Sequence, residues 1–185
     1  AVLPEYYEKK SPVNPYVFMK KLFEGLEEND IVVTGNGSAC VVSFQAAEIK
    51  KGQRLFTNSG CASMGYGLPA ALGACIAEGE KRVICLDGDG SLMMNLQELQ
   101  TIRYNCNMKL CVLNNNGYHS IRQTQNNLFK NGLVGVCDGN GVNFPPFDKL
   151  ADTFGFRYFK IDSLDGIEEK LQEVLNTDGP VLCEA

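Results

Sequence analysis

Short apolar runs alternate with longer stretches of helical periodicity along this chain. The runs Ile31–Thr34, Arg54–Thr57, Val83–Leu86, Leu110–Leu113, Phe156–Ile161 and Val181–Glu184 predict six short strands. Several are apolar at successive positions, as strands covered on both faces are. Helical signals lie between them. Asn14-Pro15 offers an N-cap and a first-turn proline, and Phe18, Leu22 and Leu26 then repeat every four residues. Asp165 with Glu168 resembles a capping box ahead of Ile167, Leu171, Val174 and Leu175. Leu96, Leu99 and Ile102 mark one side of a middle helix, and the Ala- and Gly-rich Leu68–Ala77 suits a helix packed closely on all sides. Asn126–Pro146 has many Gly and Asn residues and little periodicity; it predicts a long loop or a segment ordered only by a ligand or partner. Alternating strand and helix predicts the α/β class: a doubly wound, mostly parallel six-stranded sheet with helices on both faces and right-handed crossovers.

Composition narrows the function classes. The 185 residues suffice for one domain with a real core. The net charge of −5 argues against a nucleic-acid binder and a polybasic membrane anchor. The longest nearly apolar stretch, Leu68–Ala77, contains Pro69 and Gly73 and is too short to span a bilayer. The first residues, AVLPEYYEKK, lack a charged segment followed by an apolar run. The absence of an initiator Met and the strand-like PVLCEA ending lead us to expect a piece cut from a longer protein. Eight cysteines include no Cys-x-x-Cys pair. Cys85, Cys111 and Cys183 lie in apolar runs and read as small buried hydrophobes of a reduced, cytoplasmic protein. With one histidine, a Cys/His zinc site has little material.

In an open α/β sheet, ligands bind beyond the carboxyl ends of the strands. Gly35-Asn36-Gly37-Ser38 follows the first predicted strand, Asn58–Gly67 the second, Asp87-Gly88-Asp89-Gly90-Ser91 the third and Asn114–Tyr118 the fourth. Glycines there allow backbone N–H groups to approach an anion, and helices starting just afterwards point their positive ends at it. Asp89 and Asn115 supply hard oxygen donors, which with a carbonyl near Gly117 suit Mg²⁺. Gly-Asp-Gly or Asn-Asn-Asn-Gly alone is usually a turn. Gly35-x-Gly37-x-x-Cys40 lacks the third glycine of a dinucleotide fingerprint. Their joint occurrence at consecutive strand ends is far more specific and describes a Mg²⁺–diphosphate site.

Gly88-Asp89-Gly90-Ser91, with Asn115 following Asp89 by 26 positions, resembles the thiamine-diphosphate motif of Gly-Asp-Gly, a spacer and Asn. SGCASMGYGLPAALGA (59–74) and MNLQELQTI (94–102) are similar to the corresponding segments of acetolactate synthases, and the resemblance runs from about Asn14 to the last residue. It implies that Asp89, the Asn115 side chain and the Gly117 carbonyl bind Mg²⁺. It implies cofactor contacts at Gly37, Ser38, Ala39, Ala62, Met64, Gly88, Asp89, Gly90, Ser91, Asn115, Gly117, Tyr118, His119 and Ser120. Among these, Gly90 and Ser91 would hold the diphosphate, Met64 would prop the cofactor in its bent shape, and Tyr118, His119 and Ser120 would line the thiazolium and substrate side. Ala39 stands where acetolactate synthases commonly carry histidine, and Ser120 where they often carry Met. For His119 an exposed or supporting role is favoured over acid–base catalysis, and Glu98 is a helix-surface or packing residue.

The family's activating glutamate lies on a separate pyrimidine-binding domain, usually of a neighbouring subunit, so no catalytic residue is assigned in this chain. The resemblance implies a linker at residues 1–13 and a thiamine-diphosphate domain at 14–185. It implies a homo-oligomer that decarboxylates a 2-keto acid and transfers the product to an acceptor, with thiamine diphosphate and Mg²⁺ as cofactors. Two other readings stay open: a natural small subunit of a two-chain, sulfopyruvate decarboxylase-like enzyme, and a non-catalytic cofactor-binding or assembly module.

Overall fold

A computed structural model describes residues 2–79, 81–130 and 132–185. Strands β1 (Ile31–Thr34), β2 (Arg54–Phe56), β3 (Val83–Gly88), β4 (Met108–Leu113), β5 (Arg157–Lys160) and β6 (Val181–Glu184) form one sheet. Their order is β2-β1-β3-β4-β6-β5, and every pairing is parallel. The expected α/β architecture holds, with the sheet wholly parallel.

Side chains alternate across the strands and feed two cores. Val32, Ile84, Leu86, Cys111 and Cys183 face one side, where α1 (Pro15–Gly25), α2 (Gly37–Ala46) and α8 (Ile167–Asn176) pack. Val33, Cys85, Leu110, Val112 and Leu182 face the other, where α3 (Gly67–Ala77), α5 (Glu98–Asn105) and α7 (Phe147–Phe154) pack. The central strands β1 and β4 are buried at every position, which explains the apolar runs Ile31–Val33 and Leu110–Leu113 within them. The expected buried thiols Cys85, Cys111 and Cys183 are fully covered and free.

The Asn14 cap is present: its Oδ1 accepts from Tyr16 N at 2.9 Å, with Pro15 in the first turn. The Asp165/Glu168 capping box is not. Gly166, at φ +70°, occupies the α8 cap position, and Asp165 instead accepts from Lys10 Nζ at 2.8 Å. The left-handed turn at Gly166 turns Asp165 away from the helix's first amides. The close-packed reading of Leu68–Ala77 also fails. Leu68, Ala71, Leu72 and Cys75 are buried, but Gly73 and Ile76 face out, because α3 covers the sheet from one side only.

The segment Asn126–Pro146 was expected to be loop or ordered from outside. Its first residues, through Leu128, complete a helix the periodicity did not signal, α6 (His119–Leu128), which buries no residue. The remainder folds back through its own hydrogen bonds. Asn140 Oδ1 accepts from Val136 N and Cys137 N at 2.8 and 2.9 Å. Gln125 exchanges two bonds with Val134, and Gly117 bridges to Cys137.

Candidate functional site

Strand β1 lies between β2 and β3. The chain leaves β1 through α2 to one neighbour and returns through α3 to the other. The carboxyl ends of β1 and β3 therefore flank a topological switch point, where a crevice opens. A cleft there is lined by Asn36–Ala39, Met64, Gly88–Ser91, Leu113, Asn115 and Gly117–Ile121. Four segments far apart in sequence meet because four parallel strands end at one rim.

The β3 end is built most tightly. Asp89 opens a four-residue helix, α4 (Asp89–Leu92), and is 2% exposed. Its Oδ1 accepts from Gly90 N at 2.7 Å, while Oδ2 accepts from Asn115 N at 3.1 Å and Gly117 N at 2.9 Å. The carboxylate thus ties the β3 turn to the β4 turn. Burial raises its pKa, and the N–H groups of Gly117, Gly90 and Asn115 oppose that rise. Ser91 Oγ accepts from Gly65 N at 2.9 Å, and its hydroxyl also faces the Asp87 carboxyl group, where it opposes the rise in that group's pKa.

Gly90 has no room for a side chain: a Cβ there would stand 2.3 Å from Tyr118 Cε1. The Tyr118 ring in turn meets Phe144 edge-on, with centroids 6.3 Å apart. Gly117 has φ +137°, and a Cβ on it would collide with Val136 O at 2.0 Å. Both glycines are required by close approach of other chain segments.

Two buried carboxyl or amide oxygens have no hydrogen-bond partner among the described residues: Asn115 Oδ1 and Asp87 Oδ2. An acceptor stranded in this way calls for a donor or a cation. Asn115 Oδ1 next to the Asp89 loop is an oxygen donor set of the type Mg²⁺ takes, completed by phosphate and water. No cluster of three or more His, Cys, Asp or Glu side chains suited to a metal occurs among the described residues, so a site here would rely on amide and carbonyl oxygens beside Asp89. Asp87 lies beneath the cleft, fully buried, where Gly35 and Gly67 make space for its carboxyl group. Burial pushes its pKa up to about 6.

Of the sequence-derived cofactor residues, Gly37, Ser38, Ala39, Met64, Gly88, Asp89, Gly90, Ser91, Asn115, Gly117, Tyr118, His119 and Ser120 all line the cleft. Ala62 does not; it is exposed, at φ +49°, outside the cleft. The turn Asn58–Ser63 swings outward before Met64 returns to the rim, and spacing alone could not show that. Ala39 is 1% exposed, with its methyl group in the core beneath α2. His119 is exposed at the mouth. The sequence reading placed Asn36 only within a strand-end loop and missed Leu113, Ile121 and the supporting Phe144. Leu113 ends an apolar strand and Ile121 sits on the unforeseen α6, so neither carried a polar signal.

A parallel sheet with glycine-rich turns, a buried carboxylate and a stranded amide oxygen at its switch point defines an α/β domain for a phosphorylated cofactor. The family model for the thiamine pyrophosphate enzyme C-terminal TPP-binding domain matches residues 35–185. The chain belongs to that family. It is 30% identical over 172 residues to the acetolactate synthase isozyme 1 large subunit of Escherichia coli (strain K12), covering 92% of this chain and 30% of that protein. It is 31% identical over 179 residues to a probable acetolactate synthase large subunit of Methanococcus aeolicus, covering 94% and 29%. It is 32% identical over 177 residues to the chloroplastic acetolactate synthase 1 of Nicotiana tabacum, covering 93% and 26%. The chain thus spans less than a third of the length of each of these relatives.

Proposed function

We propose that this chain is the diphosphate- and Mg²⁺-binding half of a thiamine-diphosphate-dependent enzyme that decarboxylates and ligates 2-keto acids. The observation that carries the reading is the meeting of Asp89, the unpartnered Asn115 Oδ1 and the Gly90 turn in one cleft. Asp89, Asn115 Oδ1 and the Gly117 carbonyl would hold the metal. The Gly90-Ser91 turn and the Gly37–Ala39 turn would hold the diphosphate. Met64, Tyr118, His119 and Ser120 would line the cofactor and substrate side. When bound, thiamine diphosphate supplies the carbanion-stabilising chemistry, while the protein binds and orients it.

The proton-transfer carboxylate that activates the cofactor would come from a pyrimidine-binding domain of the same or a neighbouring subunit. Residues 1–13 would lead in from a preceding domain. Val41 and Phe44 on α2 and Ile121 on α6 are each about half exposed, on helices that begin at the cleft. They support a homo-oligomeric enzyme closed by that domain. No helix among the described residues is long and apolar enough to cross a membrane. The free cysteines support a reducing, cytoplasmic setting.

Calorimetric titration with thiamine diphosphate tests the reading. Binding is expected with Mg²⁺ and lost with EDTA, and the isolated chain is expected not to turn over pyruvate until a pyrimidine-binding domain is supplied. Binding that ignores the metal, or turnover by the isolated chain, would overturn it.

A further inference from the structure

The loop after β4 presents Asn115 and Gly117, and its geometry is held from two directions. From the cleft side, Asp89 Oδ2 accepts from Asn115 N and Gly117 N. The N–H between them, Asn116 N, is taken by Asn114 Oδ1 at 3.1 Å. Asn114 is itself held: its Nδ2 donates to Glu184 Oε1 at 2.7 Å, and Tyr158 Oη donates to Glu184 Oε2 at 2.5 Å. The backbone repeats the tie, since Asn114 N donates to Ala185 O and Ala185 N donates to Val112 O, both at 2.9 Å. Glu184, Tyr158 and Asn114 line a second cavity of about 810 Å³, and Glu184 and Asn114 also border a cavity that shares Ser38, Leu113, Asn115 and His119 with the cleft. Glu184 and Tyr158 have no place in the cleft lining.

We infer that Glu184 is a positioning residue for the cation loop: it locks the Asn114 amide, which fixes the Asn116 peptide and so aims Asn115 Oδ1 and the Gly117 carbonyl at one point. A carboxylate suits this task because it accepts from two donors at once, the amide of Asn114 and the phenol of Tyr158. Asn116, at φ +57°, sits in the left-handed region, and the Asn114 bond to its N–H helps hold it there. Burial and the Glu184 bond raise the Tyr158 pKa, so the phenol keeps its proton and its donor role. The inference rests on the reading that Asp89, Asn115 and Gly117 hold Mg²⁺.

The test is a Mg²⁺ titration of the full chain at saturating thiamine diphosphate, with Mn²⁺ binding followed by electron paramagnetic resonance. Glu184→Gln keeps the shape but offers one acceptor in place of two. It is expected to raise the Mg²⁺ midpoint and weaken Mn²⁺ binding about 10-fold, the lower end for a group that supports a metal ligand. Cofactor affinity at saturating metal should be unchanged. Tyr158→Phe should move the midpoint the same way by less. Lys109→Met, which loosens the opposite end of β4, should leave it in place. A wild-type midpoint in Glu184→Gln, or an equal displacement in Lys109→Met, overturns the inference. If Glu184→Gln does not fold, an unmoved midpoint in Tyr158→Phe overturns it. A wild-type chain with no Mg²⁺-dependent binding overturns the underlying functional reading, a result distinct from a wild type and a Glu184→Gln that bind alike.

Discussion

Strand β4 carries buried polar groups near both of its ends, and the two ends are completed differently. Near its start, Lys109 is fully buried, and its Nζ donates to Asn107 Oδ1, Thr177 O and Gly179 O at 2.5, 2.5 and 2.7 Å. All three protons have acceptors within the chain. Just past the other end, Asn115 Oδ1 is buried with no hydrogen-bond partner among the described residues, and the same holds for Asp87 Oδ2 on the neighbouring strand. Burial lowers the Lys109 pKa to about 8, a shift that by itself would nominate a functional lysine. Its saturated bonds identify a structural one. The lesson is that unmet hydrogen-bonding capacity discriminates better than a displaced pKa. A stranded buried acceptor costs roughly 1–3 kcal/mol, which a bound ligand can offset.

The largest expected effect is at the unfinished end. Asp89→Ala should lower Mg²⁺-dependent cofactor binding by more than about 100-fold, beyond what loss of a supporting group causes. Calorimetry checks this, and binding close to wild type would show the metal assignment to be wrong. Gly90→Ala comes next. Its Cβ must displace the Tyr118 ring, an overpacking that costs about 1–3 kcal/mol. Cofactor affinity should fall accordingly, and combining it with Tyr118→Ala should restore part of the loss.

At the finished end, Lys109→Met should leave cofactor binding intact and destabilise the fold by about 1–3 kcal/mol in urea unfolding, because three oxygens lose their donors. The pH response sharpens the contrast. The folded pKa, about 8, lies below the ordinary 10.5 of the unfolded lysine. Between those values the unfolded chain binds more protons, so this group makes stability rise with pH across that window. The wild type should therefore gain stability relative to Lys109→Met from pH 8 to pH 10.5; a constant difference would contradict the buried-ammonium account. The smallest effect is expected for His119→Ala. An exposed side chain at the mouth should change cofactor binding by no more than about 0.5 kcal/mol. A large loss would promote the histidine to a direct role.

Much of this was legible in the residues. The six runs located six strands within a few residues; the signal is strongest in β1, β3 and β4, which are covered on both faces, and weaker in the edge strands β2 and β5. Glycine-rich strand ends and the Asp89–Asn115 spacing located the cleft. Helix α6 was not legible, since it buries nothing and so has no apolar stripe to announce it. The cap at Gly166 was misread because the Asp165–Glu168 pattern is indifferent to whether the preceding turn is left-handed. Ala62 lies outside the cleft lining, since sequence proximity to Met64 says nothing of which way an exposed turn bends.

Local chemistry, then, was set by the sequence itself: which runs are apolar enough to be buried, which turns lack side chains, and which oxygens stand at strand ends. Those are properties of single residues and their near neighbours. Only the tertiary structure decided which groups are satisfied. Lys109 meets Thr177 and Gly179, and Asn114 meets Glu184, across about seventy residues of chain. Hydrogen bonds act over a few ångströms. Whether a buried donor or acceptor is matched therefore depends on how the sheet brings distant strands together, and that is where structural charge and candidate binding site part.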